Sequence, residues 1–481
     1  MNRSTRSRSR RAFTAAGFAA LAVTGALFVA DRASAQPKAP DTAALKRPPP
    51  KPADPQIPFE KYTLDNGLEV ILVQDTSVPL AYVSVWYHVG SGYEVPGKSG
   101  FAHLFEHMLF QGSKNVGNDM HFEVLKRIGS SVVNGTTNSD RTNYFEQVPS
   151  NQLETALWLE SDRMSHLLEI LTRESLDNQI EVVRNERRQR YDNVPYGSSR
   201  FAESEALYPE GHPYRYMTIG KHEDLASASV DDVKNFYKTW YVPANATLVV
   251  AGDFEVPAAK ALVTKWFGSF PKSTKPAVIT VPAPVAATPA KEVTVKDSFA
   301  KLPRVLYAYH SPALFAPGDA ELDIAADALG LEGTGRLYKI LVHEKQLAQS
   351  VQVSQNSGQF SSVFEVAVTL RTGADMAEVR KIMDAEVARL RTEPISEREL
   401  ARAVTRFEAG AIYSVESLLG RSERLQSFNH YLGDPGKLTW DLDRYRKTTE
   451  DAIRATAAKH LDDAHRVVII TLPDEAQGAK P

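Results

Sequence analysis

Between Gly67 and Val89 apolar and polar residues alternate in two runs, Leu68–Val73 and Ala81–Tyr87, with Pro79 in the turn between them. A period of two is that of a half-buried strand, so two strands are expected here, as a hairpin or as sequential strands. The period then lengthens. Apolar positions three and four apart in Gly100–Gln111, Phe122–Ile128, Gln152–Leu168 and Glu174–Arg190 predict helices. Strands, a run of helices and strands again predict α+β domains, each a mostly antiparallel sheet with helices on one face.

The plan is written twice. Ser229–Asp253 (SVDDVKNFYKTWYVPANATLVVAGD) reads as a capped amphipathic helix, a Pro-Ala-Asn turn and an apolar strand. Thr448–Leu472 (TTEDAIRATAAKHLDDAHRVVIITL) repeats that order without a gap, ending in the strand Val467–Thr471, with Asp232 opposite Asp451. A Pro- and Ala-rich stretch without periodicity, Ser273–Lys291, falls between the copies and reads as a linker. The expectation is two homologous domains, 57–272 and 292–475, joined by 273–291.

Residues 1–35 do not belong to that fold. Arg3, Arg6, Arg8, Arg10 and Arg11 precede the apolar run Ala15–Ala30, and Ala33-Ser34-Ala35 follows, the layout of a secretory signal. Ser9-Arg10-Arg11-Ala12-Phe13 resembles a twin-arginine signal, with an ordinary Sec signal as the alternative. The apolar run is too short and too rich in small residues for an integral membrane span, so an exported, periplasmic protein is expected. Residues 36–56 read as a disordered leader. The 481-residue chain has a formal net charge of −3, which offers no basic surface for nucleic acid. It has no cysteine, so any metal must be held by His, Asp or Glu.

Such a set lies in His103-Leu104-Phe105-Glu106-His107. On a helix His103 and His107 stand one turn apart on one face and can grip a single ion. Glu106 can sit beside that ion without ligating it, as a general base for a metal-activated water. This is the H-x-x-E-H pattern of the inverzincins. Leu104, Phe105, Met108, Leu109 and Phe110 crowd the helix with apolar groups, so the polar cluster is partly desolvated and needs a partner; a metal is the simplest. Catalytic zinc commonly takes a third protein ligand and keeps one position open for water. Glu174, Glu181 and Glu186 are all available on the Glu174–Arg190 helix, among Arg184, Arg187 and Arg188, and spacing does not choose between them.

The stretch Asn66–Tyr144 resembles the pitrilysin/insulinase family of zinc peptidases, which includes the mitochondrial processing peptidases. The resemblance rests on NGLEVILVQD, VWYHVGS, GKSGFAHLFEHMLFQGS and NGTTNSDRTNYFEQVP, and continues at VVRNERRQRYDN, HPYRYMTIG and FYKTWYVPANATLVVAGDF. It implies a zinc-dependent endopeptidase of unstructured peptides, with one zinc ion held by His103, His107 and Glu186 and with Glu106 as the base. It also implies that Asn134 and Gly135 border an edge strand to which substrate adds as an extra strand. Two positions depart from the family pattern. Gln179 stands seven residues before Glu186, where many members carry a glutamate near the metal. Val342 and Gln349, in LVHEKQLAQS, stand where self-sufficient members carry a substrate-holding Arg and Tyr. Arg424 and Tyr431 have the same spacing in another segment, and the role is not carried over to them.

Half-length members pair to enclose a clam-shell chamber. The missing pair therefore implies a heterodimer in which a second half-length protein supplies the Arg and Tyr, with a homodimer as the rival. A non-catalytic scaffold or peptide-binding subunit of the same family is the alternative function, although such subunits lose the motif kept here. The Gly330–Gly335 region of LGLEGTGRLYKIL lacks a G-K-[ST] ending and reads as a turn before a helix, not a phosphate loop. His310, His343, His430, His460 and His465 lack ligand spacing and read as surface or packing residues, and Ala401–Phe407 reads as a solvated helix face.

Overall fold

The computed structural model describes residues 53–474, apart from 278, 280 and 282–288. The expected signal segment, most of the leader and the middle of the linker lie outside the described residues. Six strands form the first sheet: β1 (Glu60–Thr63), β2 (Glu69–Gln74), β3 (Leu80–Tyr87), β4 (Val132–Thr137), β5 (Thr142–Pro149) and β6 (Ala246–Gly252). Five form the second: β7 (Lys291–Asp297), β8 (Arg304–Ser311), β9 (Ala348–Asn356), β10 (Ser362–Leu370) and β11 (Val467–Pro473).

The first sheet runs β1-β2-β6-β3-β5-β4 and the second β7-β11-β8-β10-β9. With β1 set aside the two orders superpose. β6 lies parallel to β2 and antiparallel to β3, as β11 lies parallel to β7 and antiparallel to β8. All other ladders are antiparallel, so the α+β reading and the duplication hold. The hairpin option for β2 and β3 is corrected, because β6 inserts between them. Every residue of β6 is buried, and a strand without polar alternation belongs in the centre, covered on both faces.

That double covering departs from the expectation of helices on one face only. One face of the first sheet carries Leu248 and Val250 into a core with the helices Phe101–Gln111 and Leu153–His166. On the other face Ile71, Val249 and Ala251 pack on Leu418 and Leu425 of the helix Leu418–Leu432, which comes from the second half of the chain. The exchange is reciprocal. Ala206 and Leu207, on the first half's helix Gly197–Leu207, cover Leu306, Ala308 and Ile469 of the second sheet.

Two local expectations change. Ser229 caps the helix Val230–Trp240 through Asp232, as expected, but the cap of Glu450–His460 is Thr449, one residue beyond Thr448. The Ala401–Phe407 face is not simply solvated: Arg402 and Arg406 both reach the buried Asp327, at 3.2 and 2.8 Å. A buried carboxylate needs such compensation.

Candidate metal centre

The helix Phe101–Gln111 begins at Gly100, whose φ of +90° favours glycine. A Cβ there would also lie 2.9 Å from Gly220 Cα and 3.0 Å from Ile219 O. The start is capped from a distance: Glu94 accepts hydrogen bonds from the amides of Gly100 (2.9 Å) and Ala102 (2.8 Å). A carboxylate at a helix N-terminus complements the dipole there. Burial nonetheless pushes the Glu94 carboxyl up to about 8. Leu104, Phe105, Met108 and Leu109 anchor the helix in the core and leave His103, Glu106 and His107 at a cleft of about 530 Å³.

The second wall is the helix Arg173–Arg187. Thr172 and Ser175 cap it reciprocally, and Leu176, Ile180 and Val183 fasten it to the core. That fastening aims Glu186 at the histidines. Glu186 Oε2 lies 3.1 Å from His107 Nε2 and 3.6 Å from His103 Nε2. Glu181 instead pairs with Arg184, and Glu174 lines a different cleft with Met108 and Gln111. Of the three candidate carboxylates, then, only Glu186 meets the histidine pair.

The donor set fits zinc. Ligands about 2.0–2.1 Å from a tetrahedral ion lie roughly 3.3 Å apart, close to the two separations observed. Burial, and then the His107 ring, hold His103 down at about 4, so it stays the neutral imidazole that a metal needs. The hydrogen bond from His107 holds the Glu186 carboxyl below its ordinary range against the effect of burial, and the Arg190 guanidinium assists.

Among the described residues a second His/Glu group, His121, Glu146 and Glu160, lies behind the cleft. There the Arg163 guanidinium is ion-paired to Glu160 and lies 3.6 Å from Glu146, so a protein cation already fills the space. That group is a buried ion-pair network and not a metal site.

Glu106 points beside the triangle. Its Oε2 accepts a 2.6 Å hydrogen bond from Thr137 Oγ1 on β4. Burial raises the Glu106 carboxyl, and Thr137 opposes that rise. β4 is the edge of its sheet, and Asn134, Gly135, Thr136 and Thr137 all line the cleft. Asn134 is exposed; its Oδ1 accepts from the Gly135 amide at 2.9 Å. Gly135 is buried, and a Cβ on it would meet Phe110 Cε2 at 2.8 Å and Glu106 Cγ at 3.1 Å. Gln179 lines the same cleft, with 3% of its surface exposed.

Some residues stay apart. Val342 packs against the second core, and Gln349 is exposed on β9. Arg424 reaches Ser414, and Tyr431 donates to Asp140 at 3.2 Å. None of these four lines the cleft. Sequence reasoning passed over Thr137 and Arg190. The Arg190 guanidinium is 2.9 Å from Glu186 Oε1, and its spacing of four from Glu186 on a helix was the available signal. Thr137 offered none, because its partner lies on another element.

A family model described as insulinase (peptidase family M16) matches residues 69–199. One described as the peptidase M16 inactive domain matches residues 227–407. The chain is similar to the zinc protease PqqE of Helicobacter pylori, with 30% identity over 363 residues, 74% of this chain and 80% of that protein. It superposes on the crystal structure of a protease from H. pylori with a TM-score of 0.79 and 27% identity, covering 86% of this chain and all of that one. It also shares its fold with the periplasmic protease PqqL of Escherichia coli: TM-score 0.73, 19% identity, 88% of this chain and 48% of that one.

Proposed function

The chain belongs to the insulinase family, peptidase family M16, and from that premise we propose that it is a zinc-dependent endopeptidase of unstructured peptides. The observation that carries this reading is the triangle of His103, His107 and Glu186 with Glu106 beside it. In this reading the three residues hold one zinc ion. Zinc, when bound, supplies a Lewis acid that makes water acidic enough to attack a peptide carbonyl near neutral pH.

The chain's own groups do the rest. Glu106 takes a proton from the attacking water and delivers it to the leaving amine, a general base that becomes a general acid. Burial raises its affinity for that proton, which suits both halves of the task. Thr137 holds the carboxylate in one orientation. The outer edge of β4 offers main-chain hydrogen bonds to an extended peptide, the Asn134 side chain yielding the Gly135 amide it holds, and such a grip tolerates many sequences.

The discriminating experiment is a pair of variants of the full chain. Glu106→Gln should retain zinc and lose turnover of a quenched fluorescent peptide, whereas His103→Ala should lose zinc as well. Normal turnover by Glu106→Gln would sink the assignment.

The residues 57–272 and 292–475, read as two domains, would form half of a chamber. Val342 and Gln349 favour a heterodimer in which a second half-length chain supplies an Arg and a Tyr. The match of 88% of this chain to 48% of a longer family protein agrees with a half that needs a complement. A missing donor of this kind typically costs about 10² to 10³ in rate. If the purified chain alone cleaves peptides at a rate no added protein increases, the heterodimer fails and a homodimer or monomer takes its place. The match of 227–407 to an inactive domain supports a second reading, a peptide-binding subunit, which the turnover assay separates from the first. The arginine-rich start and Ala33-Ser34-Ala35 support export to the periplasm.

A further inference from the structure

After Arg187 the Glu186 helix loosens into a wide turn, Arg188–Asp192. Wide turns of this type recur at functional sites. This one is pinned from behind: Asp192 accepts from Arg187 Nε at 3.2 Å, and its other oxygen is 2.9 Å from His222 Nε2. The pinned turn brings Arg190 and Tyr191 to the lip of the metal cleft. Arg190 touches Glu186 Oε1 with Nη1, while Glu186 Oε2 faces the histidines. The guanidinium is therefore one carboxylate's width from the metal position, yet its side chain remains 72% exposed.

The charges around it are already committed. Glu106 is bonded to Thr137 and Glu186 to His107 and Arg190, while Gln179 is neutral. Among the described residues that line the cleft, Arg190 is the only lysine or arginine. The β4 edge, to which an extended peptide would add, lines the same cleft as Arg190. A strand laid there presents every second side chain to one face, within the cleft that Arg190 borders. An arginine fork matches a carboxylate geometrically and holds its charge at every working pH.

We propose that Arg190 is a specificity-determining residue that selects peptides carrying an aspartate or glutamate within two residues of the scissile bond. The inference rests on the peptidase reading above. The selecting group is part of this chain and needs no contribution from a second one.

The test uses the full chain with Glu106→Gln, so that binding is read without turnover. Fluorescein-labelled peptides of one length carry Asp, Asn or Lys at each position from two before to two after a known cleavage site, and Kd is measured by anisotropy. At one or more positions Asp should bind about three- to fivefold more tightly than Lys, the scale of a largely exposed ion pair. Arg190→Lys should keep that preference. Arg190→Gln, which can still donate to Glu186, should bring it to unity at unchanged zinc content. Equal binding of Asp and Lys peptides at every position, or a preference that survives Arg190→Gln, overturns the proposal. The otherwise unmutated chain, run on the same peptides, separates the two levels. Hydrolysis without an acidic preference overturns this inference alone; failure to bind or cleave any peptide overturns the peptidase reading and the inference with it.

Discussion

Thr137→Val replaces the hydroxyl that bonds Glu106 at 2.6 Å with a methyl of nearly the same size. Two consequences oppose each other. The bond ties the carboxylate to one rotamer, and freeing a glutamate side chain costs about 1.5–2 kcal/mol in ordering. The same bond lowers the basicity of Glu106, and removing it returns about 1 kcal/mol to proton transfer, because a hydrogen bond to a charged acceptor exceeds one to a neutral acceptor by roughly that amount. Misplacement of a base by about 1 Å can cost up to 10²-fold, so orientation outweighs basicity and kcat should fall about tenfold. The pH dependence gives the sign independently. Thr137 opposes the rise that burial imposes on Glu106, so without it the carboxyl titrates higher and the base is protonated over more of the acid range. The loss should therefore be larger at pH 6 than at pH 8. The assay is kcat/KM on a fluorogenic peptide across pH, with zinc content measured in parallel and Thr137→Ser expected to restore most activity. A Thr137→Val enzyme within twofold of the parent at both pH values would refute the reasoning.

Other predictions concern stability and the metal. Glu423 accepts from Tyr82 (3.1 Å), Ser84 (2.9 Å), Trp86 (3.1 Å) and Asn143 (3.0 Å) where the helix Leu418–Leu432 meets the first sheet. Glu423→Ala strands those donors at about 1 kcal/mol each, so denaturant unfolding should show a loss of about 3–5 kcal/mol, with Glu423→Gln losing less; a loss under 1 kcal/mol would contradict this. Burial alone would raise Glu399, but the Arg336 fork at 2.7 and 2.8 Å and the Ser396 contacts outweigh it and hold the carboxyl at about 2. A depressed carboxylate contributes stability above its ordinary pKa and loses it as pH falls, so the Tm of the parent should drop more steeply than that of Glu399→Gln between pH 4.5 and 2. Chelation should abolish activity and leave the far-UV circular dichroism unchanged, because the motif helix is held by Leu104, Phe105 and Leu109. Re-adding zinc to 100 times its Kd should restore about 2.7 kcal/mol of stability, read as a rise in Tm.

The legible parts of this molecule were those whose cause is local. The motif helix could be read because its apolar positions and its His-Glu-His spacing share one eleven-residue segment. The duplication could be read because helix, turn and strand recur in the same order in both halves, although not in the gapless register of the alignment. The place of β6 was not legible: an apolar strand announces that both faces are covered but not which strands flank it. The exchange of helices between the halves was hidden for a different reason. Leu418–Leu432 meets the sheet through Glu423, Gln426 and Asn429 as well as apolar groups, so its buried face reads as polar in sequence. Spacing left Glu186 level with Glu174 and Glu181; the burial of Ile180 and Val183 separates them, and burial depends on the packed structure. Thr137 and Glu106 lie 31 residues apart on different elements, beyond the reach of any periodicity.

The duplication also bears on how much metal a chain should hold. The helix after β3 carries His103, Glu106 and His107; the helix after β8, Asp319–Gly330, occupies the equivalent place in the second half. Two of its acidic groups are already neutralised by the protein. Arg444 holds Asp319 at 2.7 Å, and Arg402 and Arg406 hold Asp327. A cation would have to displace permanent guanidinium charges there, and no histidine lies on that helix to ligate it. In the first half, among the described residues that line the cleft, the one guanidinium touches the outer oxygen of Glu186 and leaves the inner one facing the histidines. One scaffold therefore serves two electrostatic ends: arginines close one copy on itself, while a histidine pair offers the other the ligands a metal takes. The expected stoichiometry is one zinc per chain, lost entirely in His103→Ala. A second equivalent surviving that substitution would show that the charge pairing in the later half is weaker than its geometry implies.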